Sequence, residues 1–553
     1  MSPRRRGTRR STARCCVGLR ISRHALAELG STHPVVTLTN YMVDPETDKR
    51  VAALRRREQH VPTRIINQKI AVSVVYVAAM FMTIMDTTIV NVALPTIARA
   101  FHTRPASVAA TVIAFLVSLA VFIPASSWLG DRLGARRVLL GAIVIFSVAS
   151  ALCGVATSLS ELVAFRVLQG VGGGLMTPVG LAMLFRVFPP AERVRASAIL
   201  VIPTALAPAL GPVIGGLFVT DLSWRWVFYV NVPIGAVALL FGLVFLADQR
   251  PPTVARFDLP GFVASGLGLG LLMYGVSEGP NIGWATGRVL AGIAVGALLL
   301  VGMVIIELRT THPLLDLRLF GDRLYRSTAL VMTLGSVAFL GVLYLLALFF
   351  QDALHLTALH AGLSIFPEAL GVMTGSQIVT RFAYPALGPR RVMVAGLLLI
   401  AAMMCVLSLV GVDTNLWLVR VIVYFLGVGM SGVFLPSQAA AFATIPKAKT
   451  GDASTIFNAQ RQLGGAIGVA ILTTVITALH PVHVVAGHTV ANLHAYHVGF
   501  LVAAAVALLA VVAALTVHDE DAISTIVTRR AAGAHWTKTA DGVLVDGPAA
   551  HPA

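Results

Sequence analysis

Long apolar runs separated by short charged segments organise this chain. Stretches free of Asp, Glu, Lys and Arg cover 70–85, then 87–98 beyond one Asp, then 105–130, 138–160, 167–185, 196–220, 226–247, 259–277 and 289–306. A later set covers 327–351, 353–380 broken only by Glu368, 392–412, 421–446 and 462–517. A helix needs about 20 apolar residues to cross the hydrocarbon core of a bilayer. The run 462–517 is long enough for two helices, divided by the polar, His-rich segment from His480 to His494, and the total predicted is fourteen spans.

Composition agrees with that pattern. Charged residues make up 12% and hydrophobic residues 57% of the chain, and the mean hydropathy is +0.82. A soluble domain carries about 25% charged residues, so lipid must cover much of this surface and a soluble enzyme is excluded. Cys15, Cys16, Cys153 and Cys405 form no metal-ligand or redox spacing. No metal and no cofactor are expected.

The net charge of +17 would suit nucleic acid, but its placement argues otherwise. Residues 1–69 hold fifteen Lys/Arg against five acids, and much of the rest sits in alternate short loops. With the N-terminus inside, the outer loops keep only Arg99, Arg104, Arg225 and Arg288. This is the asymmetry of membrane orientation, with both termini cytoplasmic. The first 41 residues lack the apolar core of a secretory signal. Residues 1–68 are read as a disordered basic tail, or in part as an over-long start with translation beginning at Met42.

An internal repeat divides the fourteen spans. Leu133-Gly134-x-Arg136-Arg137-Val138 recurs as Leu387-Gly388-x-Arg390-Arg391-Val392, and 388 − 134 = 254. Arg166 maps to Arg420 at the same offset, 420 − 166 = 254, and Pro190 and Pro446 punctuate equivalent loops. The expected organisation is a six-helix half at 69–247, an inserted helix pair at 258–307, a second six-helix half at 327–517, and a cytoplasmic tail at 518–553. Duplicated halves are how transporters build alternating access around a midplane site.

Four blocks carry candidate chemistry. Asp86 lies deep in span one, and an acid there by default marks a proton or ion path; a structural ion pair is the alternative. Arg166, followed by Gln169-Gly170, is the obvious counter-charge, although a snorkelling Arg would also suit its depth. Ser127-Trp128-Leu129-Gly130-Asp131-Arg132-Leu133-Gly134-Ala135-Arg136-Arg137 presents an acid near a helix end beside Arg partners. Ala207-Pro208-Ala209-Leu210-Gly211-Pro212-Val213-Ile214-Gly215-Gly216 offers a smooth, bendable face able to pack against the opposite half. Glu368, after Pro367, is a second intramembrane acid, or a loop-end residue if its helix starts later. Gly427-Val428-Gly429-Met430-Ser431-Gly432 lies inside an apolar run and reads as helix packing, not as a nucleotide loop. The histidines from His480 to His497 fit no ligand set and read as a solvated outer loop.

These blocks together resemble the major facilitator superfamily. The Asp131 segment is similar to its signature loop, departing at Ser127 and Ala135. Met85-Asp86-Thr87-Thr88 with Asn91 and Pro95, and Trp224-Arg225-Trp226-Val227-Phe228-Tyr229-Val230-Asn231, resemble the fourteen-helix EmrB/QacA drug:proton antiporters. So do Asp258-Leu259-Pro260-Gly261, Pro313 to Phe320, and Asn458-Ala459-Gln460-Arg461-Gln462. The resemblance implies an all-α major facilitator fold in the cytoplasmic membrane. It also implies gating by Asp131, Arg132, Gly134, Arg136 and Arg137, and an exporter helix marked by Pro208, Gly211, Pro212, Gly215 and Gly216.

The expected function is proton-coupled export by alternating access, working as a monomer. Asp86 would exchange the proton and release Arg166 as the halves rock apart. An acid in an apolar cavity, Asp86 first and Glu368 second, would attract amphipathic, cationic compounds. A dedicated exporter of one metabolite or antibiotic is the nearest alternative, and a non-transporting receptor or lipid-handling protein a more distant one.

Overall fold

The polar residues that interrupt the apolar runs become helix boundaries. The computed structural model describes residues 67–103, 105–247, 258–310, 313–480, 482–485, 488–526, 536–538 and 544–546. The expectations for 1–66 and for most of the chain beyond 526 lie outside the described residues. Asn67 accepts from the Lys69 N–H to open α1 (Gln68–Ala100). An apolar run bent by 58° at Pro124, which has no N–H to donate, forms α2 (Pro105–Phe122) and α3 (Ala125–Leu133). Then come α4 (Ala135–Val155) and α5 (Leu159–Val187). Ser158 caps α5 by accepting from Glu161, whose carboxylate accepts from the Thr157 N–H in return. The first half ends with α6 (Arg193–Leu217), α7 (Trp226–Tyr229) and α8 (Asn231–Phe245).

Asp258 caps α9 (Leu259–Ile282), which pairs with α10 (Gly287–Arg309). The second half holds α11 (Arg323–Leu348), α12 (Ala358–Ile378), α13 (Tyr384–Leu407), α14 (Leu416–Ala441), α15 (Thr450–Ala478) and α16 (Leu493–Leu515). Asp322, Thr357 and Asn415 cap α11, α12 and α14. Between α15 and α16 the His-rich segment contains a short antiparallel hairpin rather than plain loop, β1 (Val482–Val485) against β2 (His488–Ala491).

Among the described residues, eleven helices are long and apolar enough to cross a membrane, or twelve if the bent α2–α3 pair is one span. The expected fourteen are compatible with this. The 48-residue candidate His360–Leu407 would be roughly 72 Å long as one helix, more than twice a bilayer core. It contains α12 and α13 and breaks at Gly388. A further, shorter apolar helix covers Leu206–Leu222.

The repeat is visible in the backbone. Gly134 (φ 92°) and Gly388 (φ 77°) both take positive φ, which only glycine adopts freely, and each turns the chain into the next helix. One core gathers around Phe115, Phe146 and Phe185 and takes in Phe442 and Phe457 of the second half, and another, around Leu345, Phe349 and Phe500, lies within the second half. The inserted α9 packs against α2 of the first half and α15 of the second, while α10 turns apolar residues such as Leu298 (70% exposed) outward. Such apolar outer surface is stable only against lipid. After α16, the turn Asp519–Thr525 folds back on the second half. Asp519 accepts from the Arg390 N–H, Asp521 is held by Arg323, and the Thr525 and Tyr384 hydroxyls are 2.6 Å apart.

Candidate functional site

Asp86 and Arg166 meet at the centre of the first half. Both are 0% exposed, with Arg166 Nη1 2.5 Å from Asp86 Oδ2. Gln169, one turn along α5 from Arg166, donates to Asp86 Oδ1 at 2.9 Å and accepts from Arg166 Nη1 at 2.8 Å. Asn231, at the start of α8, donates to Asp86 Oδ1 at 3.4 Å and to the Ser150 hydroxyl at 3.1 Å. Arg166 Nε donates to the Thr111 carbonyl, and its guanidinium lies 4.3 Å from the centre of the Phe115 ring. A buried charge is tolerable only when paired and hydrogen-bonded, and this network supplies both conditions.

The partners of Asp86 come from α5 and α8, and theirs in turn from α2, α4 and α7, all in the first half. Rocking the halves as rigid bodies would therefore leave Asp86 and Arg166 together. Their separation would need movement between α1 and α5 within that half.

The second half shows what the same Arg does without an acid. Arg420 is the repeat partner of Arg166, but the position equivalent to Asp86 is Leu340 (86 + 254 = 340). Arg420 sits in the first turns of α14, 4.7 Å over the Trp417 ring and 3.5 Å from the Ser364 hydroxyl. It takes the outward-reaching role that its depth also allowed for Arg166.

The Asp131 loop lies where the halves touch. Asp131 pairs with Arg186 at the far end of α5, at 3.1 Å. Gly134 makes the turn, Arg136 donates to the Leu243 carbonyl, and Arg132 and Arg137 lie on the exposed face. Among the described residues, four hydrogen bonds join the halves, and they cluster towards this end. Ser127 donates to Asp452 at 2.5 Å, the Ser126 and Thr455 hydroxyls are 2.9 Å apart, Ser454 donates to the Pro178 carbonyl, and Arg193 donates to the Phe442 carbonyl. Ser127, a departure from the glycine of the signature loop, thus provides a contact glycine could not make.

The small-residue run of α6 makes contacts within its own half, and α6 as a whole also packs against α12 and α14 of the second half. Gly211 and Gly215 pack against Thr88 and Ile89 of α1, inside the first half, and Gly216 has nothing within 4 Å. A Cβ on Gly211 would lie 2.1 Å from the Thr88 hydroxyl, two residues beyond Asp86. Pro208 is partly buried in the same helix, and the side chain of Pro212 lies outside the described set. The α6 residues in the apolar cluster shared with the second half include Val194, Ala198 and Leu206.

Glu368 is mid-helix in α12 and 2% exposed, so the loop-end reading is wrong. Its carbonyl rests on Gly427 of α14, which makes the glycine-rich run a helix contact. Glu368 lines a cavity between the halves that also receives Tyr76, Gln438, Asn458 and Arg461. The volume open to water-sized molecules there is about 50 Å³, far below the several hundred Å³ that a drug-sized ligand fills. Asp86 does not line it. The expectation that Asp86 is the acid of a drug cavity is corrected: the first half encloses Asp86, and Glu368 is the cavity acid.

Comparison with known proteins fits this arrangement. A sequence profile described as Major Facilitator Superfamily matches residues 76–469, most of the chain. The chain belongs to the major facilitator superfamily. The "Multidrug resistance protein B homolog" of Mycobacterium tuberculosis is 32% identical over 428 residues, 76% of this chain and 79% of that protein. The "Putative multidrug resistance protein MdtD" of Pectobacterium atrosepticum is 31% identical over 413 residues, 73% and 87% of the two chains. The fold is shared with the crystal structure of the human organic anion transporter MFSD10 (TETRAN), at 17% identity and a TM-score of 0.57, over 81% of this chain and 100% of that one. It is shared also with the proton:xylose symporter XylE, at 13% identity and 0.55, over 80% and 94%. The protein is a multi-pass membrane transporter of small molecules, not an enzyme.

Within this major facilitator fold, sequence reasoning missed Thr111, Ser150 and Asn231 around Asp86, and Asp452 and Thr455 at the junction of the halves. Asn231 carried the clearest signal, an amide directly inside an apolar run. Thr111 contributes its backbone carbonyl, which no side chain announces, and the hydroxyl of Ser150 hides easily in a helix, because such groups can satisfy themselves on their own backbone.

Proposed function

We propose that this transporter exports small amphipathic compounds across the cytoplasmic membrane in exchange for protons, with Asp86 as the proton carrier. The observation that carries the reading is the enclosed cluster of Asp86 with Arg166, Gln169 and Asn231. A proton on Asp86 removes the charge that holds Arg166 and loosens α1 from α5. Helix α5 then transmits the change: Arg166 and Arg186 are twenty residues apart on it, about 30 Å, and Arg186 holds the Asp131 loop beside Gly451 of the second half.

The charged loops support an orientation with the Asp131 loop and both termini cytoplasmic. In that frame the halves are joined at the inner end, as in a state open outward. Halves at 69–247 and 327–517 with an inserted pair at 258–307 are the moving parts we infer, acting within one monomer. The names of the curated relatives support drugs as substrates.

Inverted membrane vesicles test this reading. Asp86→Asn should abolish pH-driven substrate uptake into the vesicles while the protein remains folded and inserted. Transport that persists with an unchanged proton requirement would sink the mechanism.

A further inference from the structure

The cavity between the halves contains one acidic and one basic side chain, Glu368 from α12 and Arg461 from α15. The rest of its wall is neutral: the polar groups include Ser431, Gln438 and Asn458, and Met and Phe side chains supply much of the apolar surface. Among the described residues, neither charged side chain takes part in an ion pair. Among the described residues neither side chain makes a hydrogen bond, whereas both carboxylate oxygens of Asp86 are hydrogen-bonded.

Unpaired charges at this depth are expensive, and intramembrane ionisable groups that persist have a partner or a ligand. The two charges stand on different helices and leave each other unpaired, so each is open to a group brought from outside. A cation would satisfy Glu368 and leave Arg461 opposed; a simple anion would do the reverse. A molecule with both signs satisfies both charges and lays its apolar body on the Met and Phe wall, where flexible thioethers adapt to varied shapes. The guanidinium, planar and always charged, suits a carboxylate.

We propose that the cavity selects amphipathic zwitterions, Arg461 holding the anionic group and Glu368 the cationic one. The proposal rests on the export reading and narrows its substrate class from cationic amphiphiles to compounds that also carry an acid. The ligand bridges α12 and α15, so its binding ties together two helices of the second half. The present volume is too small to admit it, and binding belongs to a more open state.

The test is equilibrium binding to the full-length protein in lipid nanodiscs, read by fluorescence anisotropy at neutral pH. The probes are rhodamine B, a zwitterion; its ethyl ester, a cation lacking the carboxylate; and fluorescein, an anion. Wild type should bind rhodamine B most tightly. Arg461→Gln should weaken rhodamine B on the order of tenfold to a hundredfold and leave the ester unchanged. Glu368→Gln should weaken rhodamine B and the ester but not fluorescein.

Arg461→Lys, which keeps the charge, should retain most of the rhodamine B affinity and guards against a merely structural loss. Wild-type binding that ignores dye charge, binding of none of the dyes, or an equal loss for all dyes in Arg461→Gln would overturn the proposal. Transport is not needed for this readout. Charge-selective binding without proton exchange would defeat the export reading alone, and proton-driven export without charge selectivity would defeat the zwitterion proposal alone.

Discussion

Replacing Asp86 by Asn tests the energetics of the enclosed pair directly. Asp86 accepts from Arg166 on Oδ2 and from Gln169 and Asn231 on Oδ1. An Asn keeps one acceptor, but its amide must face a donor on the other side, so at least one hydrogen bond is lost. The larger effect is charge: Arg166 stays at 0% exposure with no counter-ion, and breaking a buried pair by removing one partner costs about 3–5 kcal/mol. The Phe115 ring is already in place and cannot offset a new deficit. Replacing Arg166 by Gln as well removes the stranded charge, and the double variant should return to within about 1–2 kcal/mol of wild type. The coupling energy of the cycle should exceed roughly 2 kcal/mol. Equilibrium unfolding in mixed micelles, followed by helical circular dichroism, measures all four proteins. A cost below about 1 kcal/mol for Asp86→Asn with additive behaviour in the double variant would refute the view that this pair is a tight, sealed unit.

Three further outcomes follow from contacts elsewhere. Ser126→Cys with Thr455→Cys in an otherwise cysteine-free background places two thiols where hydroxyls are now 2.9 Å apart; mild oxidation should cross-link the halves and arrest transport, and reduction should restore it. Gly427→Ala would put a Cβ 2.1 Å from the Glu368 carbonyl oxygen and should destabilise by about 1–3 kcal/mol as α12 and α14 are forced apart. Gly141→Ala, with nothing within 4 Å, should cost nothing in the same unfolding assay. Asp519→Ala removes an acceptor from the Arg390 N–H and should cost about 1 kcal/mol, as for a lost helix cap. Asp521→Ala should cost less, because its partner Arg323 is 51% exposed and exposed ion pairs contribute little.

The sequence by itself determined the membrane class and the all-α fold, and laid out the apolar runs and the repeated motif. Twenty-residue apolar runs leave the backbone no other way to satisfy its hydrogen bonds in lipid. The motif repeated at an offset of 254 residues marked two loops, and in the structure Gly134 and Gly388 both take positive φ there. Asp86, Arg166 and Glu368 were legible for a related reason, since a charge within such a run is costly and therefore conspicuous.

Only the tertiary structure decided which of these charges meet. Arg166 and Arg420 occupy repeat-equivalent positions, yet one is sealed against Asp86 and the other lies over Trp417 near the start of its helix, because Leu340 stands where the acid would be. Glu368 and Asp86 both read as intramembrane acids, but packing enclosed one within the first half and turned the other into the cavity between the halves. Ser127 and Asp452, 325 residues apart, came together with no local signal. Helix formation is dictated by neighbours along the chain, while the direction a helix face takes is set by the helices packed around it.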